Sequence, residues 1–493
     1  MNKYLMNKED LRKGLYFLFI FISTTVFFTT IHPVTVISGD DWINLSTGRP
    51  AIPEWNGFNP IKVLPEISFP FFGNISSSIM MLFGFNFFEA IAYTTAILIA
   101  ILVVAFLYQL YMLYREKTIF SEYTSFILVS FYFLCLFGMF RTLNNNNSPY
   151  MLWEQNITCY YHYIIPALLN GIMSLFLIRK SDSLDTFFKE HSVLNVITLL
   201  LIYLSIFSNI FASIFLAVVC GAVILFSLLK LKFDFIRTIK KHPLHVLTLI
   251  VWLISAIFEM NGGRADRMAK DHLEIHATVK SLFSLLSLID LLFLSIIMTG
   301  VAVGLFVYIF KRNEASHCTR RYVFWVVVLS GIITSIGLLL ICAKASPGYA
   351  TRPAAMWGLF MFMIIAGSLG LGYLLTRFLL LHYVAAIVLL CLVNTTTGQK
   401  NSLRESHNGN VTFNVANAIG QNIIDQVKAA ENENKRSMIL YVPKGDNKDN
   451  WPFPITRGKA ISETLKSNGI INKNIQIEIV PDKKLNIQFD MPM

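Results

Sequence analysis

The sequence predicts a polytopic α-helical membrane protein of about eleven transmembrane helices, carrying a small C-terminal α/β domain. Three observations lead there. Residues of the AVILMFWYC set make up 55% of the 493 positions and charged residues 14%, against about 25% charged in a soluble domain. The apolar residues, 41 phenylalanines among them, gather in long uninterrupted runs. After residue 394 the chain turns abruptly polar. Mean hydropathy is +0.57.

A membrane-spanning helix needs about 20 apolar residues. Runs of that kind centre on 15–31, 87–113, 122–140, 160–178, 193–209, 212–229, 246–260, 283–310, 322–342, 356–375 and 378–394. The stretch 193–229 is too long for one helix and is split at Ser208-Asn209; the last two runs are split at Arg377. With the N-terminus inside, inner segments hold nineteen lysines and arginines and the outer loops before residue 395 hold nine, although those outer loops are longer in total. The positive-inside rule therefore predicts a cytoplasmic N-terminus and an exported C-terminus. The formal charge of +11 resides largely in loops between apolar runs, which speaks for a lipid bilayer as partner and against nucleic acid. Six cysteines without CxxC or metal spacing predict neither a disulfide framework nor a zinc site.

Two domains follow: residues 1–394, with a long outer loop at 32–86, and residues 395–493. In the second, the periodicity predicts a helix over 413–430, a strand over 437–442, a helix over 457–468 and a strand over 475–480.

Candidate chemistry lies on the outer side. Asp40 and Asp41, in Ser38-Gly39-Asp40-Asp41-Trp42, lie just outside the first span and are expected within a turn of the membrane surface. A partly desolvated carboxylate there suits a general base acting on a hydroxyl. The same spacing also fits a helix cap, Ser38 with Asp41 three residues on. Long ordered loops are usually functional, so Arg49, Glu54 and Trp55 are candidate sugar or headgroup contacts, although an interfacial aromatic belt also explains Trp55. Two glycine-containing turns followed by arginine close the seventh and ninth spans. One carries Glu259, Arg264, Asp266 and Arg267; the other carries Lys344 and Arg352. Glycine lets backbone N–H groups approach a phosphate, and arginine grips its oxygens with a planar fork. Alternatively, each basic residue snorkels at the membrane surface. Between the C-terminal strand and helix, Trp451 and Phe453 offer flat apolar faces suited to sugar rings and Arg457 adds donors, so these are candidate acceptor contacts; docking onto the membrane explains the aromatics equally.

Other features read as structural. The glycines at 367–372 suit close helix packing, and His162 and His382 are isolated in apolar surroundings. The inner loops are too short for a nucleotide-binding domain. Transporters usually place charges near the bilayer midplane; Asp290, the main acid in a predicted span, lies near the start of its span.

In layout, and in Asp40-Asp41-Trp42, Asn261-Gly262-Gly263-Arg264 and Ser346-Pro347-Gly348-Tyr349-Ala350-Thr351-Arg352, the chain resembles GT-C-fold glycosyltransferases dependent on polyprenyl-phosphate sugars. The closest likeness is to the serotype-converting glucosyltransferases of bacterial O-antigen. The resemblance implies a multi-pass protein of the bacterial inner membrane with a periplasmic C-terminal domain. It implies a hexosyltransferase moving a sugar, glucose first, from a polyprenyl-phosphate donor to an O-antigen glycan of lipopolysaccharide. The anomeric centre is inverted, with no metal or cofactor. The acidic loop residue of the family maps onto Asp40 or Asp41. Its phosphate-binding arginine maps onto Arg352 or Arg264, with Arg267 and Lys344 as neighbours. An O-antigen polymerase and a lipid-linked glycan flippase are the alternatives.

Overall fold

The computed structural model describes residues 8–46, 48, 61–140, 150–182, 184, 192–261, 272–310, 317–397 and 411–491. Helix α1 (Lys8–Ile31) leads through an extended stretch to a short helix, α2 (Gly39–Ser46), and then to α3 (Val63–Ser78). Helix α4 (Phe87–Glu116) opens on a capping box: Glu89 N–H donates to Asn86 Oδ1, and Asn86 N–H to Glu89 Oε2. Single side chains start the next elements. Ser121 caps α5 (Glu122–Gly138), and Asn156 caps α6 (Ile157–Lys180), which contains a π-turn at Tyr160–Ile164. The predicted break at Ser208-Asn209 is present. Helix α7 (Ser192–Ile206) ends just before it, and Asn209 caps α8 (Ile210–Lys230). Then come α9 (Phe235–Lys241), α10 (Pro243–Met260), α11 (Ile275–Leu286), α12 (Leu291–Phe310), α13 (His317–Ala345), α14 (Trp357–Arg377) and α15 (Leu380–Thr397).

The chain is a multi-pass helical membrane protein. Among the described residues eight helices are long and apolar enough to cross by themselves: α1, α4, α6, α8, α10, α12, α13 and α14. All eleven predicted runs hold helix, but the apolar stretches of α5, α7 and α15 are shorter. The count of eleven rests on those three crossing as well. The run 283–310 is not continuous: Asp290 accepts from the N–H groups of Leu292 and Phe293, so it starts α12 after a break from α11. A place near the start of its span is what the sequence predicts for Asp290.

The bundle has two unlike ends. At one, ion pairs tie helix termini together: Arg115 to Glu9 at 3.0 Å, Arg12 to Glu122 at 2.6 Å, Lys117 to Asp182 at 3.0 Å and Arg179 to Glu116 at 2.7 Å. These residues flank the starts or ends of α1, α4, α5 and α6. At roughly 1.5 Å per residue, the 30 residues of α4 carry the chain about 45 Å to the other end, where the C-terminal unit sits. Between the ends, glycines let α12 and α14 touch. A Cβ on Gly367 would lie 2.8 Å from the Ile297 carbonyl oxygen, and one on Gly370 would overlap Gly300, so the glycine-rich stretch is a packing surface as predicted.

The C-terminal unit opens with α16 (Phe413–Asn432). Strand β1 (Ser437–Pro443) then pairs in parallel with β2 (Gln476–Asp482) through the crossover helix α17 (Gly458–Ser467), and α18 (Lys483–Gln488) follows. The register runs from Ser437 opposite Gln476 to Pro443 opposite Asp482. Gln426 of α16 closes the outer edge of β1, donating to Tyr441 O at 2.9 Å and accepting from Tyr441 N at 3.0 Å.

Candidate active site

The two adjacent aspartates occupy opposite environments. Helix α2 begins at Gly39, so Asp40 and Asp41 both fall in its first turn, about 100° apart round the axis. Asp41 is fully buried. Its Oδ2 accepts from Ile37 N (3.1 Å), Ser38 N (2.8 Å) and Ser38 Oγ (2.9 Å), and its Oδ1 from Thr158 N (3.0 Å) and Thr158 Oγ1 (2.7 Å). Burial pushes this carboxyl up from the ordinary range, while the bonds from Ser38, Thr158 and Ile37 pull it back. Five donors need acceptor lone pairs, which favours the carboxylate form. Asp41 therefore clamps the loop after α1 onto the N-terminal turn of α6, a position the helix dipole also favours. Asp40 is exposed at the same turn. Of the pair, it alone presents a carboxylate to a ligand.

The segment before α6 links this turn to the arginine loop. Asn156 caps α6 through Cys159 N at 2.8 Å and donates to Ser38 Oγ at 3.4 Å. Two residues earlier, Glu154 is buried and forms an ion pair with Arg352. Arg352 follows the short 3-10 turn Pro347–Thr351, and its guanidinium lies over Tyr163 (4.7 Å) and Tyr349 (5.7 Å). Burial raises the Glu154 carboxyl above the usual carboxylate range even though Arg352 draws it down. Burial opposes the Arg352 charge too, but the Glu154 carboxylate beside it prevails and holds the guanidinium protonated. Cys159 lies within electrostatic reach of Asp41, Glu154 and Arg352, so the aspartate turn and the arginine loop share one neighbourhood.

The third component comes from the C-terminal unit. Its 446–457 loop is organised from within: Asp446 Oδ1 accepts from the N–H groups of Lys448, Asp449 and Trp451, while Asn450 bonds Gly445 N, Pro443 O and Phe453 O. The loop docks on the start of α2. Gly39 N donates to Pro452 O at 3.1 Å. A Cβ on Gly39 would meet Pro454 Cγ at 2.6 Å and Arg457 Cγ at 3.0 Å. Thr464 Oγ1 adds a 2.8 Å bond to Trp42 O. Trp451 and Arg457 are half-buried and Phe453 is buried, so of the two aromatic rings predicted to offer a sugar-binding face only Trp451 retains accessible surface.

The structure thus gathers Asp40, Asp41, Arg352, Trp451 and Arg457 at one end of the bundle. Lys344 is exposed in the last turn of α13, just before the Arg352 loop. Glu259 lines a separate narrow crevice with Lys62, Asn209 and Trp252. Arg49, Glu54, Trp55, Arg264 and Arg267 lie outside the described residues. Glu154 and Thr158 were not among the sequence candidates. Their signal was slight: an acid and an asparagine cap in the loop directly before an apolar run.

Compared with known proteins, the chain matches no family model and no curated sequence.

Proposed function

We propose that this chain is a membrane glycosyltransferase of the GT-C type. It transfers a hexose, glucose as first candidate, from a polyprenyl-phosphate donor to an O-antigen glycan on the periplasmic face of the bacterial inner membrane. The observation that carries this reading is the division of labour in α2: buried Asp41 anchors the turn, and exposed Asp40 stands on it with its carboxylate outside that clamp. In this mechanism Asp40 takes the proton from an acceptor hydroxyl as that oxygen attacks the anomeric carbon. The bond from that carbon to the phosphate oxygen breaks, the electron pair leaves with the polyprenyl phosphate, and the configuration inverts. Arg352 stabilises the departing phosphate electrostatically. Trp451 and Arg457 hold the acceptor glycan over the site. A phosphate leaving group needs no general acid, so one carboxylate suffices.

The ion-paired, lysine- and arginine-rich end of the bundle supports a cytoplasmic N-terminus, which sets Asp40 and the C-terminal unit in the periplasm. Membranes containing the protein, incubated with labelled polyprenyl-phosphate glucose and lipopolysaccharide, test the reading directly. Label moving to lipopolysaccharide supports it. Donor consumed with no labelled lipopolysaccharide, or no turnover at all with either a glucose or another hexose donor, refutes it.

A further inference from the structure

Glu154 has no part in the transfer steps above, yet it sits at the centre of the cluster. Its side chain is 1% exposed, while that of Arg352 is 21% exposed. Oε2 of Glu154 holds Nη2 of Arg352, and Oε1 is buried and has no hydrogen-bond partner among the described residues. The groups facing it are few. Among the described residues Arg352 is the cation acting on it, with the Gln155 backbone N–H and the thiol of Cys159 alongside. A buried carboxylate with one oxygen unsatisfied depends on its cation. Arg352, by contrast, has the ring faces of Tyr163 and Tyr349 to orient it and a side still open to the outside. It is an anion site already occupied from within by the protein's own carboxylate.

We propose that Glu154 is an exchangeable counter-ion: a phosphodiester takes Arg352 from the outside, and the displaced Glu154 takes up one proton from solvent. The proposal rests on the donor-phosphate reading of Arg352. Charge balance favours it. Before binding, the guanidinium and the carboxylate cancel. After binding, the guanidinium and the singly charged phosphodiester cancel, provided Glu154 is neutral. Without the proton, a net negative charge would be left in a low-dielectric pocket, where it is expensive. Burial already raises the Glu154 carboxyl with Arg352 in place, and loss of its cation pushes it further in the same direction.

The test is binding of a short-chain polyprenyl-phosphate glucose to the full-length protein in detergent. A phosphodiester keeps one charge between about pH 5.5 and 8.5, so any slope in that window comes from the protein. Affinity is expected to fall with rising pH, at a limiting slope of about tenfold per unit. Calorimetric heats in buffers of different ionisation enthalpy should report proton uptake approaching one per ligand. Glu154→Gln should flatten the profile and bind more tightly at high pH, and Glu154→Asp should keep a slope. Inorganic sulfate, a dianion throughout the window, is the second probe. If the lipid binds at no pH but sulfate shows a slope that Glu154→Gln removes, the donor reading falls and the exchange stands. A flat wild-type profile with both probes, or an undiminished slope in Glu154→Gln, overturns the exchange. The wild-type heats decide the matter alone if Glu154→Gln does not fold.

Discussion

Thr158 grips Asp41 with two hydrogen bonds across 117 positions of sequence, one from its backbone N at 3.0 Å and one from its Oγ1 at 2.7 Å. The contact ties the loop after α1 to α6 and leaves Asp40 on the open side of the turn. Asp40→Asn should therefore lower transfer about 100- to 10,000-fold, with an unchanged thermal midpoint in detergent. Asp41→Asn turns an amide NH2 towards buried donors and should cost on the order of 3 kcal/mol of stability. Thr158→Val removes one bond and should cost about 1–2 kcal/mol. An Asp41→Asn protein as stable as wild type but without turnover would make Asp41 the base and reverse the two roles.

The unlike ends of the bundle give an orientation that fusions can check. A periplasm-active reporter after residue 400 should be active, and one at about residue 235, beside Lys232 and Arg237, should be silent. The opposite pattern would put Asp40 in the cytoplasm, where no polyprenyl-linked donor of the proposed kind would meet an O-antigen glycan.

Apolar length, caps and glycine spacing were legible in the sequence because they act locally. Asn209 divides α7 from α8, and Gly367 and Gly370 press α14 against α12, as the residues predict. The helix and strand periods of the C-terminal unit are realised to within a few residues. What the sequence hides is pairing at a distance. Glu154 and Arg352 are 198 residues apart, and neither local composition nor periodicity links them. Two neighbouring aspartates look alike as letters, and only the tertiary partners of Asp41 separate them.

The C-terminal unit rests on α2 through a glycine, and that contact can be loosened without touching the carboxylates. Gly39→Ala places a methyl 2.6–2.7 Å from Pro454 Cγ and Cδ, so the 449–457 loop must shift. Transfer should drop on the order of 10- to 100-fold, the scale of a misplaced binding element, and hydrogen exchange in 449–457 should quicken. Gly14→Ala, where nothing lies within 4 Å of the added carbon, is the matched control and should behave as wild type. Equal activity in the two variants would detach the C-terminal unit from the site.

Trp451 and Phe453 sit two residues apart in that loop but are expected to fail in different ways. Phe453 is 6% exposed and packs in the core of the unit, so Phe453→Ala should open a cavity and destabilise by about 3–5 kcal/mol. Trp451 keeps part of its ring accessible while Asp446 and Asn450 fix the backbone around it. A flat, half-exposed indole next to Asp40's helix suits the face of a sugar ring. Trp451→Ala should then raise the apparent KM for the acceptor glycan by about tenfold, the effect of losing one good contact of about 1.4 kcal/mol, and leave that for the lipid donor unchanged. The competing account is that the ring anchors the unit in the headgroup region, as interfacial tryptophans do. In that case Trp451→Ala shifts both KM values together, or loosens the unit from the membrane with no selective effect on acceptor. A rise in KM for the acceptor alone, at unchanged protein stability, assigns the ring to the glycan.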